Sequence, residues 1–244
     1  MSYLFLGLAI ILAAVFIFVE SWKTPLLALF LKALASFGFC ALWTVVFYEK
    51  MIDASSAHYL GALDVSWTPI ALLFGLALVG GLVGDLVLAL RPLRPRSDND
   101  SIILAGIIAF FTGHIFYLAA LISLNRVSWI PFLFSLVATV AVFAGGKKMK
   151  LEFGKSLIPS LLYSALIFLM IGQALFNLID QSMSLFNGLV FGGAMLFGVS
   201  DLILSQIYFK PKYQMRMVIL NLSTYYAAQI LLAFSLLFFR SSGV

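Results

Sequence analysis

Two acidic residues stand alone in apolar sequence, in matching surroundings. Asp85 lies in Gly-Gly-Leu-Val-Gly-Asp-Leu-Val-Leu, residues 80–88, with no charged neighbour until Arg91. Asp201 lies in Gly-Gly-Ala-Met-Leu-Phe-Gly-Val-Ser-Asp-Leu-Ile-Leu, residues 192–204. A carboxylate at the centre of a membrane-length segment costs about 3 kcal/mol, so such residues mark function by default. Two carboxyls brought together in a low-dielectric site do not both ionise. One keeps its proton while the other is charged, which is the pair that proton transfer to and from a substrate requires.

Other polar residues fall at related depths. With a rise of 1.5 Å per helical residue, Asp85 lies about 9 Å before Arg91, and Asp201 about 13 Å before Lys210. Lys32 is about 13 Å beyond Lys23, Tyr163 about 12 Å beyond Lys155, and Tyr225 and Gln229 about 13 and 20 Å beyond Arg216. His114 is deeper, near the midplane. Taken singly, the tyrosines read as packing residues, Lys32 as a side chain snorkelling to the interface, and His114 as a hydrogen-bonded core residue. Accidents of that kind would scatter over both leaflets. Clustering in one leaflet points to a single polar cavity. Asn221, Tyr225 and Gln229 follow at i, i+4, i+8 and share one stripe, and His114 and Tyr117 share a face at i, i+3.

The elements that must position these groups are membrane helices. Of 244 residues, 63% are hydrophobic and 10% charged, more apolar surface than a water-soluble domain can bury. Eight apolar runs are long enough to span, at roughly 2–20, 24–48, 68–90, 101–123, 127–144, 156–178, 184–208 and 216–239. The fold class is therefore all-α, a polytopic membrane protein forming one integral membrane domain over residues 1–244. The loop from Glu49 to Thr68 is the longest and has room for a short interfacial segment. Gly80 with Gly84, and Gly188 with Gly192, are small-xxx-small pairs that let the third and seventh spans pack closely. The single cysteine, Cys40, excludes an internal disulfide and a cysteine metal cluster. One histidine near two aspartates is thin ligation for zinc, so neither metal nor cofactor is expected.

The formal charge of +5 reflects loop bias rather than nucleic-acid binding. Eleven of the fifteen basic residues fall in loops 1–2, 3–4, 5–6 and 7–8, against three on the other face. The positive-inside rule then puts those loops in the cytosol and both termini outside. Their basic residues serve topology and contacts with membrane lipid headgroups. The two halves also correspond: His114-Ile115 follows Asp85 by 29 residues, and Gln229-Ile230 follows Asp201 by 28. Four helices separate the copies, which suggests a four-plus-four parallel repeat with the site at its interface.

At this point the residues resemble the YhhN family, which includes the lysoplasmalogenases. The points of match are Lys32 in Leu-Lys-Ala-Leu, Gly84-Asp85, Gly113-His114-Ile115-Phe116-Tyr117, Gly193-Ala194-Met195-Leu196-Phe197 through Ser200-Asp201, and Thr224-Tyr225-Tyr226-Ala227-Ala228-Gln229. The family usually has proline where Ala33 stands. The resemblance implies a hydrolase of the cell membrane that cleaves the vinyl ether of lysoplasmalogen, a lysophospholipid, to a fatty aldehyde and a glycerophospho-base. It also implies that Asp85 and Asp201 are catalytic. Lys32, His114 or cytosolic arginines would then hold the phosphate, with Tyr117, Tyr163, Asn221, Tyr225 and Gln229 orienting headgroup or water. Two other classes use intramembrane acids. A proton-coupled transporter relays protons through them. An intramembrane aspartyl protease pairs two, but Asp85 lacks the first glycine of Gly-x-Gly-Asp, no Pro-Ala-Leu loop is present, and three spans separate the acids.

The charge split predicts that a reporter fused after Val244 reads as extracytoplasmic and one inserted at Lys147 as cytosolic. The opposite pattern would overturn the topology.

Overall fold

The computed structural model describes residues 1–20, 25–58, 67–181, 184–210 and 214–239. Eight helices there are long and apolar enough to cross a membrane, and no strand occurs among the described residues. They are α1 (Ser2–Glu20), α2 (Pro25–His58), α3 (Thr68–Ala89), α4 (Asn99–Ser123), α5 (Ile130–Lys148), α6 (Leu157–Asp180), α7 (Leu185–Phe209) and α8 (Met215–Ser235). Local sequence explains several ends. Proline stands in the first turn of α3 and of α5, where its missing N–H costs nothing. Ser184 caps α7 by accepting the Asn187 N–H at 3.1 Å.

Two boundaries differ from the expectation. α2 runs on through His58, because residues 49–58 contain neither glycine nor proline to stop it. The proposed interfacial segment thus starts as helix, and residues 59–66 lie outside the described residues. α5 starts three residues later than expected and continues past Gly145 and Gly146 to Lys148, since isolated glycines only weaken a helix.

Large apolar side chains cover the outside, as the bilayer requires. Phe30 and Phe37 on α2, and Leu136, Val137 and Val140 on α5, are each about 60% exposed. The interior is a continuous apolar core that includes Phe39, Leu42, Phe74, Leu78, Tyr226 and Leu232. Neighbour relations repeat between the halves. α1 packs on α2, α2 on α3 and α3 on α4; likewise α5 packs on α6, α6 on α7 and α7 on α8. Across the halves, α8 packs on α2 and α4 on α6. Polar side chains fix the second of these contacts at one membrane face. Asn177 Nδ2 donates to the Leu121 carbonyl at 2.8 Å, and Gln173 Nε2 donates to Asn177 Oδ1 at 2.9 Å.

Glycines set the two closest helix pairs, though not all at the expected positions. A Cβ on Gly80 would lie 2.8 Å from Gly113 Cα, which brings the α3 and α4 backbones together. On α7 the close approach falls on Gly193, whose Cβ would lie 2.8 Å from Leu232 Cγ and 3.2 Å from the Ala228 carbonyl. Gly188 and Gly192 have nothing within 4 Å, because that stripe of α7 faces away from α8.

Gly80→Ala and Gly193→Ala therefore overpack a helix contact and should each destabilise the protein by about 1–3 kcal/mol. Gly188→Ala and Gly192→Ala should be neutral or slightly stabilising. Thermal unfolding in detergent checks this; equal effects at all four positions would contradict the packing described.

Candidate active site

Asp85 sits one turn beyond Gly81 on α3 and is 3% exposed. Three donors converge on it. Lys32 Nζ is 3.2 Å from Oδ1, while Oδ2 accepts Ser36 Oγ at 2.6 Å and the Tyr225 hydroxyl at 2.7 Å. Lys32 and Ser36 are one turn apart on α2, so one helix face presents both a cation and a hydroxyl. Tyr225 comes from α8. Its hydroxyl accepts Gln229 Nε2 at 3.2 Å, and Gln229 Oε1 accepts the Tyr117 hydroxyl at 3.0 Å. Gly81 leaves room for this chain, since a Cβ there would overlap the Gln229 amide. Ser36 Oγ also lies 3.2 Å from the Tyr226 hydroxyl. An aspartate held by a cation and two hydroxyls has the surroundings of an ionised carboxylate.

Asp201 on α7 is held differently. Its Oδ2 accepts the Tyr163 hydroxyl at 2.6 Å, and no ion pair to it occurs among the described residues. The preceding residue, Ser200, is clasped to α8. Asn221 Nδ2 donates to the Ser200 carbonyl at 2.8 Å and to its Oγ at 2.9 Å.

Counted from the first residue of each helix, Asp85 and Asp201 correspond to within one residue, as do Lys32 and Tyr163, and Phe110 and Tyr225. Ser36 then matches Ile167. The cation and two hydroxyls that surround Asp85 are replaced around Asp201 by a phenol, an aliphatic side chain and a phenyl ring. The repeat puts two carboxyls in equivalent places, and the side chains give them unlike surroundings.

Both aspartates line one cavity of about 1930 Å³, measured with its open mouth. Lys32, Asn221 and Tyr225 line it too, and Glu20, Arg91 and Arg94 stand toward the end where the basic loops lie. The Arg91 guanidinium is 4.6 Å from the centre of the Tyr208 ring. A second space, an apolar groove of about 810 Å³ measured with its open side, runs among α4, α5, α6 and α7 and is lined by Tyr163, Phe110 and Ile167. Asp201 borders both spaces.

Four expected substrate contacts do not line the cavity, Tyr163 lining the apolar groove instead. Tyr117 and Gln229 stand behind Tyr225 and hold it. His114 is buried among the rings of Tyr117, Tyr163 and Phe197, with Nδ1 2.8 Å from the Phe110 carbonyl. Its Nε2 has no hydrogen-bond partner among the described residues. Ser36, Tyr226 and Ser200 also belong to the site, beyond the residues expected from sequence, and Arg91 and Arg94 are the basic-loop arginines that line its cavity. Ser36 was legible at i+4 from Lys32; the others have no local signal apart from their charge.

The sequence profile of the YhhN family matches residues 51–236, which hold both aspartates. The chain belongs to the YhhN family. Neither the curated proteins nor the solved structures compared with it give a match. YhhN membership is consistent with a membrane hydrolase.

Lys32→Met would leave Asp85 buried without its counter-ion, and breaking a buried pair from one side costs about 3–5 kcal/mol. The double variant Lys32→Met, Asp85→Asn should recover most of that loss in a thermal unfolding cycle. A double variant no more stable than Lys32→Met alone would show that the pair is not the source of the loss.

Proposed function

We propose that this YhhN protein hydrolyses the vinyl ether of lysoplasmalogen, or of a related ether lysolipid, to a fatty aldehyde and a glycerophospho-base. The observation that carries the reading is the pair of carboxyls on one cavity, one beside a cation and the other not. Vinyl-ether hydrolysis needs that inequality. A proton must be given to an alkene carbon, and the cation that results must be met by negative charge.

Asp201 is the acid and Asp85 the standing carboxylate. Asp201 transfers its proton to the alkene carbon remote from oxygen. The π electrons form the new C–H bond, and the positive charge is shared between the other carbon and the ether oxygen. Asp85, kept charged by Lys32, Ser36 and Tyr225, stabilises that oxocarbenium ion. Water adds to the cationic carbon, and its proton returns to the Asp201 carboxylate. The hemiacetal then collapses. Its hydroxyl proton leaves, the C–O bond to glycerol breaks, and the glycerol oxygen takes up a proton, giving aldehyde and alcohol.

Lys32 is engaged by Asp85, so the phosphate falls to Arg91 and Arg94, whose guanidinium groups suit phosphate geometry. Asn221 and Tyr225 orient the headgroup or the water from the cavity wall. Gln229, Tyr117 and His114 position Tyr225 and Tyr163 from behind. The cavity mouth lies at the end carrying the basic loops, which fits a site served from the cytosolic leaflet.

The test is aldehyde release by purified protein. In heavy water the aldehyde should carry one deuterium on the carbon next to the carbonyl, because that hydrogen arrives as a proton. Asp85→Asn and Asp201→Asn should each lower the rate by about 10² to 10⁴-fold, the range for loss of a general acid or base. The double variant should be little worse than either, as expected of groups acting as a unit. A single variant with matched melting temperature that kept more than about a tenth of the rate would exclude the paired-acid mechanism.

A further inference from the structure

We infer that the apolar groove among α4, α5, α6 and α7 holds the hydrocarbon chain of the substrate and that its closed end selects chain length. The inference rests on the proposed reading in one respect: the occupant is a single-chain amphiphile whose reacting bond lies at Asp201.

The groove and the polar cavity meet at Asp201, which lines both, with Leu88, Phe110, Leu204 and Tyr208 as the other residues of their shared wall. A molecule lying across that boundary would have a polar part beside Lys32, Arg91 and Arg94 and an apolar part among Ile107, Val142 and Ile167. One long alkyl chain on a charged headgroup has that division. A phospholipid with two chains would have to leave the second one in the polar cavity.

The broken repeat points the same way. Where Asp85 meets Ser36 and Tyr225, the corresponding helix positions near Asp201 carry Ile167 and Phe110, and both of these line the groove. The position equivalent to a hydrogen-bonding pocket has become a greasy one that still ends on a carboxyl. Apolar walls accept a hydrocarbon chain without leaving a buried polar group unpaired.

The groove also has an end. Beyond α5 the backbone turns through Lys150 and Gly154, both at positive φ, and brings Phe153 onto the groove wall. The Phe153 ring lies 5.2 Å from that of Phe143 and 4.6 Å from that of Phe209, centre to centre. The Glu152 N–H donates to the Phe209 carbonyl at 2.9 Å and pins the turn to α7. Phe209 lies two turns beyond Asp201, so the stop stands about 12 Å along the helix from the reacting group. A bounded groove discriminates length, whereas a chain lying free in the bilayer is not measured.

The test is a series of lysoplasmalogens with one headgroup and chains of increasing length, assayed for aldehyde release by the full-length protein. Val142→Trp fills the groove and should move the optimum to shorter chains. It should lower kcat/KM at the wild-type optimum while leaving that of shorter chains unchanged. Phe153→Ala opens the end and should move the optimum to longer chains. Val140→Trp, on the lipid-facing side of α5 and 61% exposed, should leave the profile unchanged. In parallel, binding of saturated alkyl lysolipids, which have no vinyl ether to cleave, is read by native mass spectrometry. Opposite shifts in the two groove variants, in either readout, support the inference. If binding shifts while no vinyl ether is cleaved by the wild type, the proposed reaction fails and the groove assignment stands. Profiles unchanged in both groove variants, at matched melting temperatures, overturn the groove assignment whatever the reaction.

Discussion

The ion pair between Lys32 and Asp85 is the interaction on which the site depends. Two opposite charges placed inside an apolar bundle are costly to desolvate, and the cost is offset only when geometry and hydrogen bonding are good. Here Ser36 and Tyr225 complete the carboxylate's shell, and Gln229 and Tyr117 fix Tyr225 in turn. The shell draws α2, α3, α4 and α8 to one point. The cavity beside it is therefore framed by helices that cannot shift independently without exposing a charge to hydrocarbon.

The second constraint is the repeat and its breaking. Equivalent places in α3 and α7 carry the two aspartates, each set by a helix pair whose closest approach needs glycine. A symmetric pair of carboxyls would share one set of properties. Substituting Tyr163 for a cation and Phe110 for a tyrosine separates the two, and the same replacements make the space beyond Asp201 apolar. On the proposed reading, chemical inequality and chain binding follow from one set of side-chain differences.

Much of this was legible in the sequence because bilayer physics is stringent. Hydrophobic runs located eight spans, and the isolation of Asp85 and Asp201 in apolar sequence singled them out. Single-leaflet clustering placed Lys32, Tyr163 and Tyr225 at the depth of the aspartates, and the i, i+4 stripe added Asn221. What depth does not encode is rotation about the helix axis. Gln229, Tyr117 and His114 lie at suitable depth but stand behind the wall rather than on it. Gly188 and Gly192 had the right spacing on the wrong stripe of α7, with Gly193 making the contact. The unlike surroundings of the two acids were hidden for a related reason. They depend on which side chains of α2, α6 and α8 meet across the interior, and no local pattern reports that.

The claim that the two carboxyls differ in protonation is open to direct measurement. Infrared difference spectra of the purified protein, wild type minus each asparagine variant, read the carbonyl stretch of a protonated carboxyl side chain. The account predicts that this band disappears in Asp201→Asn and persists in Asp85→Asn, with Lys32→Met generating a second one. Loss of the band in Asp85→Asn, with its retention in Asp201→Asn, would contradict the assignment of acid and carboxylate.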